Sequence, residues 1–317
     1  ALKGDFSTEP RKRDLQLEAK AHILLQEKID TLEIEQPVST GYIKWLHREF
    51  CENLPDNLLW VENSDTKEKI RVEPGEFRKT MVSVGRHIPP QVQNIPAFLN
   101  RFEDAYNPAK LGRMERFIAA AASHHRLLWI HPFIDGNGRV ARLFSHSYLK
   151  AIGIGSSLWS ASRGLARNSG EYKDLLNAAD ASRQGDLDGR GSLSQKGLEE
   201  FCKFFLTICI DQVTFMESLM KPGELTRRIE IFTEEEVRAK RLLKGSFPLI
   251  REALLMGEFE RGKAATLTGY KERQARNVLK ELVEKGLLIS KTEKGSVRLG
   301  FPVNVVERWF PNLYPAS

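Results

Sequence analysis

The chain has 317 residues, an apolar fraction of 41% and a charged fraction of 28%, the make-up of an ordinary water-soluble protein of about two domains. No run of 18 apolar residues occurs, and the richest stretch, 201–216, is interrupted by Lys203 and Asp211, so a buried helix is expected there and no membrane partner. The first thirteen residues are polar and lack a signal-peptide core, and because the chain begins at Ala1 further sequence is expected upstream. The net charge of +6 is uneven: residues 236–300 hold 15 Lys and Arg against 8 Asp and Glu, which makes nucleic acid a candidate partner for that segment. Three cysteines, Cys51, Cys202 and Cys209, form no Cys-x-x-Cys pair, and buried free thiols in a reducing cytoplasm are expected.

Helical periodicity dominates the first two-thirds. Leu15, Leu17, Ala21, Leu24, Leu25 and Ile29 form an apolar stripe over 14–30, and a second helix is predicted over 39–54 with Ile43, Leu46 and Phe50 inward. Pro74-Gly75 breaks this pattern, and 81–85 reads as a short β-like hairpin arm stopped by Pro89-Pro90. Helix resumes over 91–104. An alanine-rich central helix follows over 111–128, with Met114, Phe117, Ile118, Ala121 and Leu128 inward, then helices over 138–152, 170–181 and 198–219. The natural boundary is Lys221-Pro222-Gly223, giving domains of 1–222 and 223–317. Beyond it, helices over 234–243, 248–257 and 271–285, with a short helix and tight turn over 263–269 and two strands around Lys294-Gly295, have the outline of a winged helix-turn-helix.

One run carries chemistry: His131-Pro132-Phe133-Ile134-Asp135-Gly136-Asn137-Gly138-Arg139-Val140-Ala141-Arg142. Gly136, Asn137 and Gly138 permit a tight turn into a helix whose first N–H groups bind phosphate, and Asn137 adds a side-chain donor for an α-phosphate oxygen. Arg139 and Arg142, three apart, can fork onto the outer phosphates and a pyrophosphate leaving group. Asp135 is a hard oxygen ligand suited to Mg²⁺. His131, with an ordinary pKa near neutrality, suits a general base for a hydroxyl. Each element alone has a blander reading as a turn, a structural histidine or a solvated face; together at this spacing they describe nucleophilic attack on a phosphate.

The full run resembles the signature of the Fic family, His-x-Phe-x-Asp/Glu-Gly-Asn-Gly-Arg-x-x-Arg, with every specified position filled. The resemblance implies a mainly α fold, a Fic-type helical domain with a short β-hairpin flap, and AMP transfer from ATP to a Tyr, Thr or Ser hydroxyl of a target protein. It implies His131 as base, Asp135 on Mg²⁺, Asn137 on the α-phosphate and Arg139 and Arg142 on the outer phosphates. The likeness reaches outward over about 14–219. It places a flap that docks the target by strand addition at Val82, Ser83, Val84 and Gly85, and a residue stacking on the base at Tyr172, for which a core aromatic is the competing reading. The family's inhibitory Ser/Thr-x-x-x-Glu-Gly/Asn motif is approached only by 31–36, which ends in Gln36, and by a remnant at 1–4 with Lys3 in place of Glu.

Three readings remain open for the rest. Asp186, Asp188 and Gly191 mimic part of a calcium loop, but Arg190 and Gly197 stand where oxygen ligands are required, so a surface loop is expected. Lys271, Arg273, Arg276 and Lys280 lie on the expected recognition helix, with Lys291, Lys294 and Arg298 on the wing; DNA binding competes there with protein docking or a homodimer contact, because Glu272, Glu281 and Glu284 share the helix. At the level of reaction, de-AMPylation, transfer of another nucleotide or a phosphate, and a nucleotide-sensing DNA-binding regulator are the alternatives to AMP transfer.

Overall fold

A computed structural model describes residues 6–62, 67–85, 87–154, 159–290, 292, 294–311 and 313. The chain divides into two compact units, 1–213 and 214–317. Among the described residues no helix is long and apolar enough to cross a membrane.

The first unit is built on helices α1 (Pro10–Thr31), α2 (Thr40–Glu52), α3 (Ile95–Tyr106), α4 (Arg113–Ile130) and α5 (Asn137–Ala151), followed by α6 (Ala161–Arg167), α7 (Ser169–Asp180) and the larger part of the long α8 (Gln195–Met220), whose residues from 214 on belong to the second unit. Small residues explain the centre. Ala119, Ala120, Ala121 and Ala122 are all buried, so the middle of α4 is enclosed all round, and their small side chains allow α5 to approach closely, with Val140, Leu143, Phe144 and Tyr148 filling the seam. The expected inward positions Met114 and Ile118 are instead exposed, at 72% and 55%, because the alanines carry the packing face. Leu15 and Leu24 likewise leave the α1 stripe for solvent; Ala21, Leu25 and Ile29 are its buried edge.

α1 is bound to α5 by polar contacts at its C-terminal end. The Lys150 ammonium donates to the carbonyls of Ile29, Asp30 and Leu32, each at 2.7 Å, satisfying groups that a helix end leaves open. His146 Nε2 meets Asp30 at 2.7 Å beside it. At the other end of the unit, Asp188 accepts from Gln184 N, Ser194 Oγ and Lys196 N and so caps the start of α8. That is a structural task.

Two β features flank the helices. β1 (Trp60–Glu62) and β2 (Lys69–Arg71) pair antiparallel, with Val61 opposite Ile70. This hairpin was not foreseen. The arm expected at 81–85 is reduced to one bridge, in which Val84 and His87 exchange both backbone hydrogen bonds at 3.0 Å. Among the described residues no strand pairs with it, and Gly85, at φ +60°, turns the chain back at once.

The second unit contains α9 (Pro222–Arg238), α10 (Ser246–Met256), β3 (Glu258–Phe259), α11 (Ala264–Thr268), α12 (Glu272–Glu284), β4 (Leu288–Ile289), β5 (Val297–Leu299) and α13 (Val303–Trp309). Its three strands are antiparallel in the order β3-β5-β4. Leu249, Ile250, Val278, Leu282, Leu288, Val297 and Trp309 form its core. α9 starts twelve residues before the helix expected at 234, because Pro222 suits a first helical turn rather than ending one.

Candidate active site

The site is a turn between α4 and α5. α4 ends at Ile130, and His131 follows in the left-handed region at φ +49°, a conformation uncommon for a side chain larger than glycine. Gly136, at φ +80°, caps the start of α5. Between them the backbone belongs to neither helix, and side chains satisfy it. Asn137, 4% exposed, donates from its amide nitrogen to Phe133 O at 2.8 Å, while its oxygen accepts from Phe133 N at 3.0 Å. The amide expected to meet an α-phosphate is therefore committed to holding the turn. Phe133 is fully buried under it.

Two residues outside the run complete the support. His47 on α2 stacks on Phe133 with ring centres 3.9 Å apart and planes within 2°. Gly75 N donates to its Nδ1 at 2.8 Å, so the proton sits on Nε2, which donates to Asp135 O at 3.2 Å. Arg78 is buried, and its Nε donates to His131 O at 2.8 Å. His47 was legible: it shares the inward face of Ile43, Leu46 and Phe50. Arg78 had no such signal, since it follows a Pro-Gly break in a segment without periodicity.

His131 Nδ1 lies 3.3 Å from Leu128 O, and a carbonyl only accepts, so Nδ1 carries the proton and Nε2 keeps its lone pair. Burial, with His87 and Arg78 nearby, pulls the His131 pKa to about 4, in place of the near-neutral value expected from sequence. The imidazole is thus neutral through the physiological range. Burial also pulls His22 and His47 to about 4 and His124 to about 3.

His131, Asp135, Asn137 and Gly138 line one cleft of about 520 Å³ together with Val61, Ile70 and residues 80–84. Of the expected flap residues Val82, Ser83 and Val84 reach this cleft; Gly85 does not. At the start of α5 the backbone N–H groups of Asn137 and Gly138 make no hydrogen bond among the described residues, and the helix dipole adds to their attraction for an anion. Asp135 presents a half-exposed carboxylate to the cleft, its nearest ionic partner being Arg139 at 3.5 Å. No group of three or more His, Cys, Asp or Glu suited to a metal occurs among the described residues. A single carboxylate beside a phosphate site is nevertheless the donor set Mg²⁺ accepts, since substrate oxygens and water fill its other positions.

Arg139 and Arg142 lie outside the lining of that cleft. Arg139 is held by Glu18 of α1 at 2.6 Å, a carboxylate that no motif flagged. Of residues 31–36, the stretch nearest to an inhibitory motif, Thr31 ends α1 and 32–36 lie outside any helix; the remnant at 1–4 lies outside the described residues. Burial lowers the pKa of Arg142, an effect that Tyr172 opposes. The Tyr172 hydroxyl donates to His124 Nε2 at 2.7 Å. His124 Nδ1 must then donate to Ser145 Oγ, also at 2.7 Å, whose own proton goes to Ala141 O. Packed against Phe201 as well, Tyr172 has the surroundings of a core aromatic rather than a free stacking face.

In the second unit Lys271, Arg273, Arg276 and Lys280 are all exposed along α12. Arg276, Lys280 and Lys294 line a groove of about 920 Å³ with an apolar floor of Ala264, Ala275, Leu279 and Val283, whereas Lys271 and Arg273 lie outside it. Arg298 is exposed on β5; Lys291 lies outside the described residues.

Residues 37–149 match the Fic/DOC family. Among curated proteins, the "Protein adenylyltransferase Fic" of Drosophila grimshawi is 42% identical over 82 residues, 26% of this chain and 17% of that protein. Its namesake from Culex quinquefasciatus is 44% identical over 82 residues, again 26% of this chain and 16% of the relative. The chain thus aligns with under a fifth of the length of these relatives. Among solved structures, a Fic family protein from Desulfovibrio desulfuricans G20 is similar at 17% identity and a TM-score of 0.48, over 95% of this chain and 79% of that one.

The buried histidines make the first unit sensitive to acid. His22, His47, His124 and His131 stay neutral in the fold well below the ordinary value of 6.5, which they regain on unfolding. Between pH 6.5 and about 4 the unfolded chain binds more protons, so stability rises with pH across this window and is lost as pH falls through it. Calorimetric scans are expected to show the melting temperature of the helical unit dropping from pH 6.5 to 4, less steeply in His22→Gln. An unchanged melting temperature across the window would contradict the neutral assignment.

Proposed function

From the match of residues 37–149 to the Fic/DOC family we propose that the protein transfers AMP from ATP to a Ser, Thr or Tyr hydroxyl of a target protein. One observation carries the reading: a neutral histidine with a bare Nε2 shares a cleft with a carboxylate and two unspent N–H groups at a helix start. His131 Nε2 takes the hydroxyl proton as the oxygen attacks the α-phosphorus. The bond from that phosphorus to the bridging oxygen breaks, and pyrophosphate leaves with the electron pair. The N–H groups of Asn137 and Gly138 receive phosphate oxygens, and Arg139 and Arg142 offset the charge that grows on the leaving group. Asp135 would hold Mg²⁺, which when bound neutralises phosphate charge and orients the chain of phosphates. Val82, Ser83, Val84 and Gly85 form the docking flap, where the free backbone N–H groups of Val82 and Ser83 support strand addition by the target. Asn137 acts on the nucleotide through its backbone, its amide serving the turn. The three buried free cysteines support the reducing cytoplasm as its compartment.

The test separates the reaction from its alternatives. Incubation with Mg²⁺, a cell lysate and ATP labelled at the α position is expected to label a protein, while ATP labelled at the γ position is not, and His131→Ala is expected to lose the label. Label from the γ position would instead assign phosphate transfer; release of AMP from a modified protein would assign de-AMPylation.

Glu18 competes with the nucleotide for Arg139. An ion pair of this partly exposed kind contributes about 0–1 kcal/mol, so removing the carboxylate frees at most about a fivefold gain in affinity. Glu18→Gln is expected to tighten ATP binding by about two- to fivefold in titration calorimetry. An affinity equal to wild type would show that Arg139 does not meet the phosphates.

For the second unit we propose a winged helix whose α12 face meets nucleic acid. Lys271, Arg273 and Arg276 make no ion pair among the described residues, which favours this over docking of a basic or neutral protein surface. A gel shift with duplex DNA is expected to weaken steeply with salt and to lessen in the Lys271→Glu, Arg276→Glu double variant. A full chain that never shifts DNA at low salt would leave the groove to protein docking or a homodimer contact.

A further inference from the structure

Among the described residues Arg78 is the only Lys or Arg of the first unit that is buried. It is 2% exposed, yet it faces no carboxylate within ion-pair distance among the described residues. Its guanidinium is spent on backbone carbonyls: Nε donates to His131 O at 2.8 Å, Nη1 to Thr80 O at 3.2 Å and Nη2 to Pro90 O. Its own N–H donates to Pro132 O at 2.9 Å. Burying a cation without a counter-charge is unfavourable, and an apolar side chain could fill the same space, so the group is explained by the geometry it imposes.

That geometry joins two pieces of the cleft. Thr80 and Pro90 are the two ends of the segment that supplies the cleft wall at 80–84 and Ile88, and one planar fork closes both ends. The same fork holds the carbonyl of His131, whose left-handed φ of +49° is a costly conformation that persists only where surrounding groups fix it. A displacement of the segment is therefore felt at the His131 backbone through one rigid group.

We infer that Arg78 is a positioning residue that couples the target-docking segment to His131, so that the wall on which a target lies and the base that serves it keep one geometry. The inference rests on the AMP-transfer reading for its kinetic consequence but not for its structural one. A lysine keeps the charge yet is a point donor that cannot span three carbonyls on two sides, so charge alone does not restore the link.

Both Arg78→Lys and Arg78→Gln are expected to lower kcat for AMP transfer by about 10²-fold, the scale of a misplaced catalytic group, with KM for ATP within about twofold of wild type. Without any nucleotide, hydrogen exchange in the variants is expected to quicken over 80–90 and 131–136 and to remain as in wild type in α1 and α3. Wild-type kcat in Arg78→Lys, or exchange raised evenly over the whole unit, overturns the inference. A wild-type chain that transfers no AMP would sink the functional reading, while the exchange pattern still decides the coupling. Should the variants fail to fold, the wild-type protein decides it: the ¹⁵N-resolved Nε–H of Arg78 is expected to exchange far more slowly than that of exposed Arg113, and equal rates overturn the coupling.

Discussion

The six residues between α4 and α5 must keep polar backbone buried without belonging to a helix or a sheet. Backbone groups in that position need partners, and here the partners are side chains from three places: Asn137 within the turn, His47 from α2 and Arg78 from the segment after β2. Much of the first unit can be understood as what brings those side chains to the turn. α2 packs against α5 so that His47 lies flat on Phe133, and the chain after Gly75 returns across the C-terminal end of α4. The close alanine contact of α4 with α5 keeps the two helix ends at the distance the turn spans.

Charge is distributed to the same purpose. The turn gathers Arg139, Arg142 and the open N–H groups of α5, and sets Asp135 and Glu18 against them. His22 is held neutral chiefly by burial, with Arg142 and Arg139 adding to the effect, and His131 chiefly by burial, with His87 and Arg78 adding to it. A polyanion arriving there meets an unsatisfied positive field, and the imidazole beside it is already in its basic form. In the proposed reaction, proton acceptance and phosphate binding would draw on one electrostatic arrangement.

How much of this was legible in the sequence follows from what kind of signal each residue leaves. The twelve-residue run was legible because its members differ in chemistry and fall at fixed spacing, and the helices were legible from period. His47 was visible as a polar residue on an apolar face, yet it reads as an ordinary core histidine until Phe133 is seen beneath it. The role of the Asn137 amide was misread because an amide that can meet phosphate can equally close a turn. The pKa of His131 was misread because burial by distant residues leaves no local trace. Arg78, Glu18 and the β1–β2 hairpin depend on contacts across tens of residues, and neither period nor motif encodes those. In the second unit the order of elements followed from turn residues, while the division of its basic side chains between groove and open surface depended on packing that sequence alone does not give.

The Lys150 cap at the end of α1 has a mechanical consequence. Lys150 and Arg139 sit on one helix, eleven residues or about 16 Å apart, so the helix that holds α1 by its carbonyls also carries the guanidinium that Glu18 engages. α1 and α5 therefore form a single stiff frame around Arg139. Release of Arg139 to an incoming phosphate then asks for a rotation about the side-chain bonds of Glu18 and not for a departing helix. Such rotations take picoseconds to nanoseconds, whereas helix movements take microseconds or longer, so the gate over Arg139 opens far faster than the chemistry it would serve.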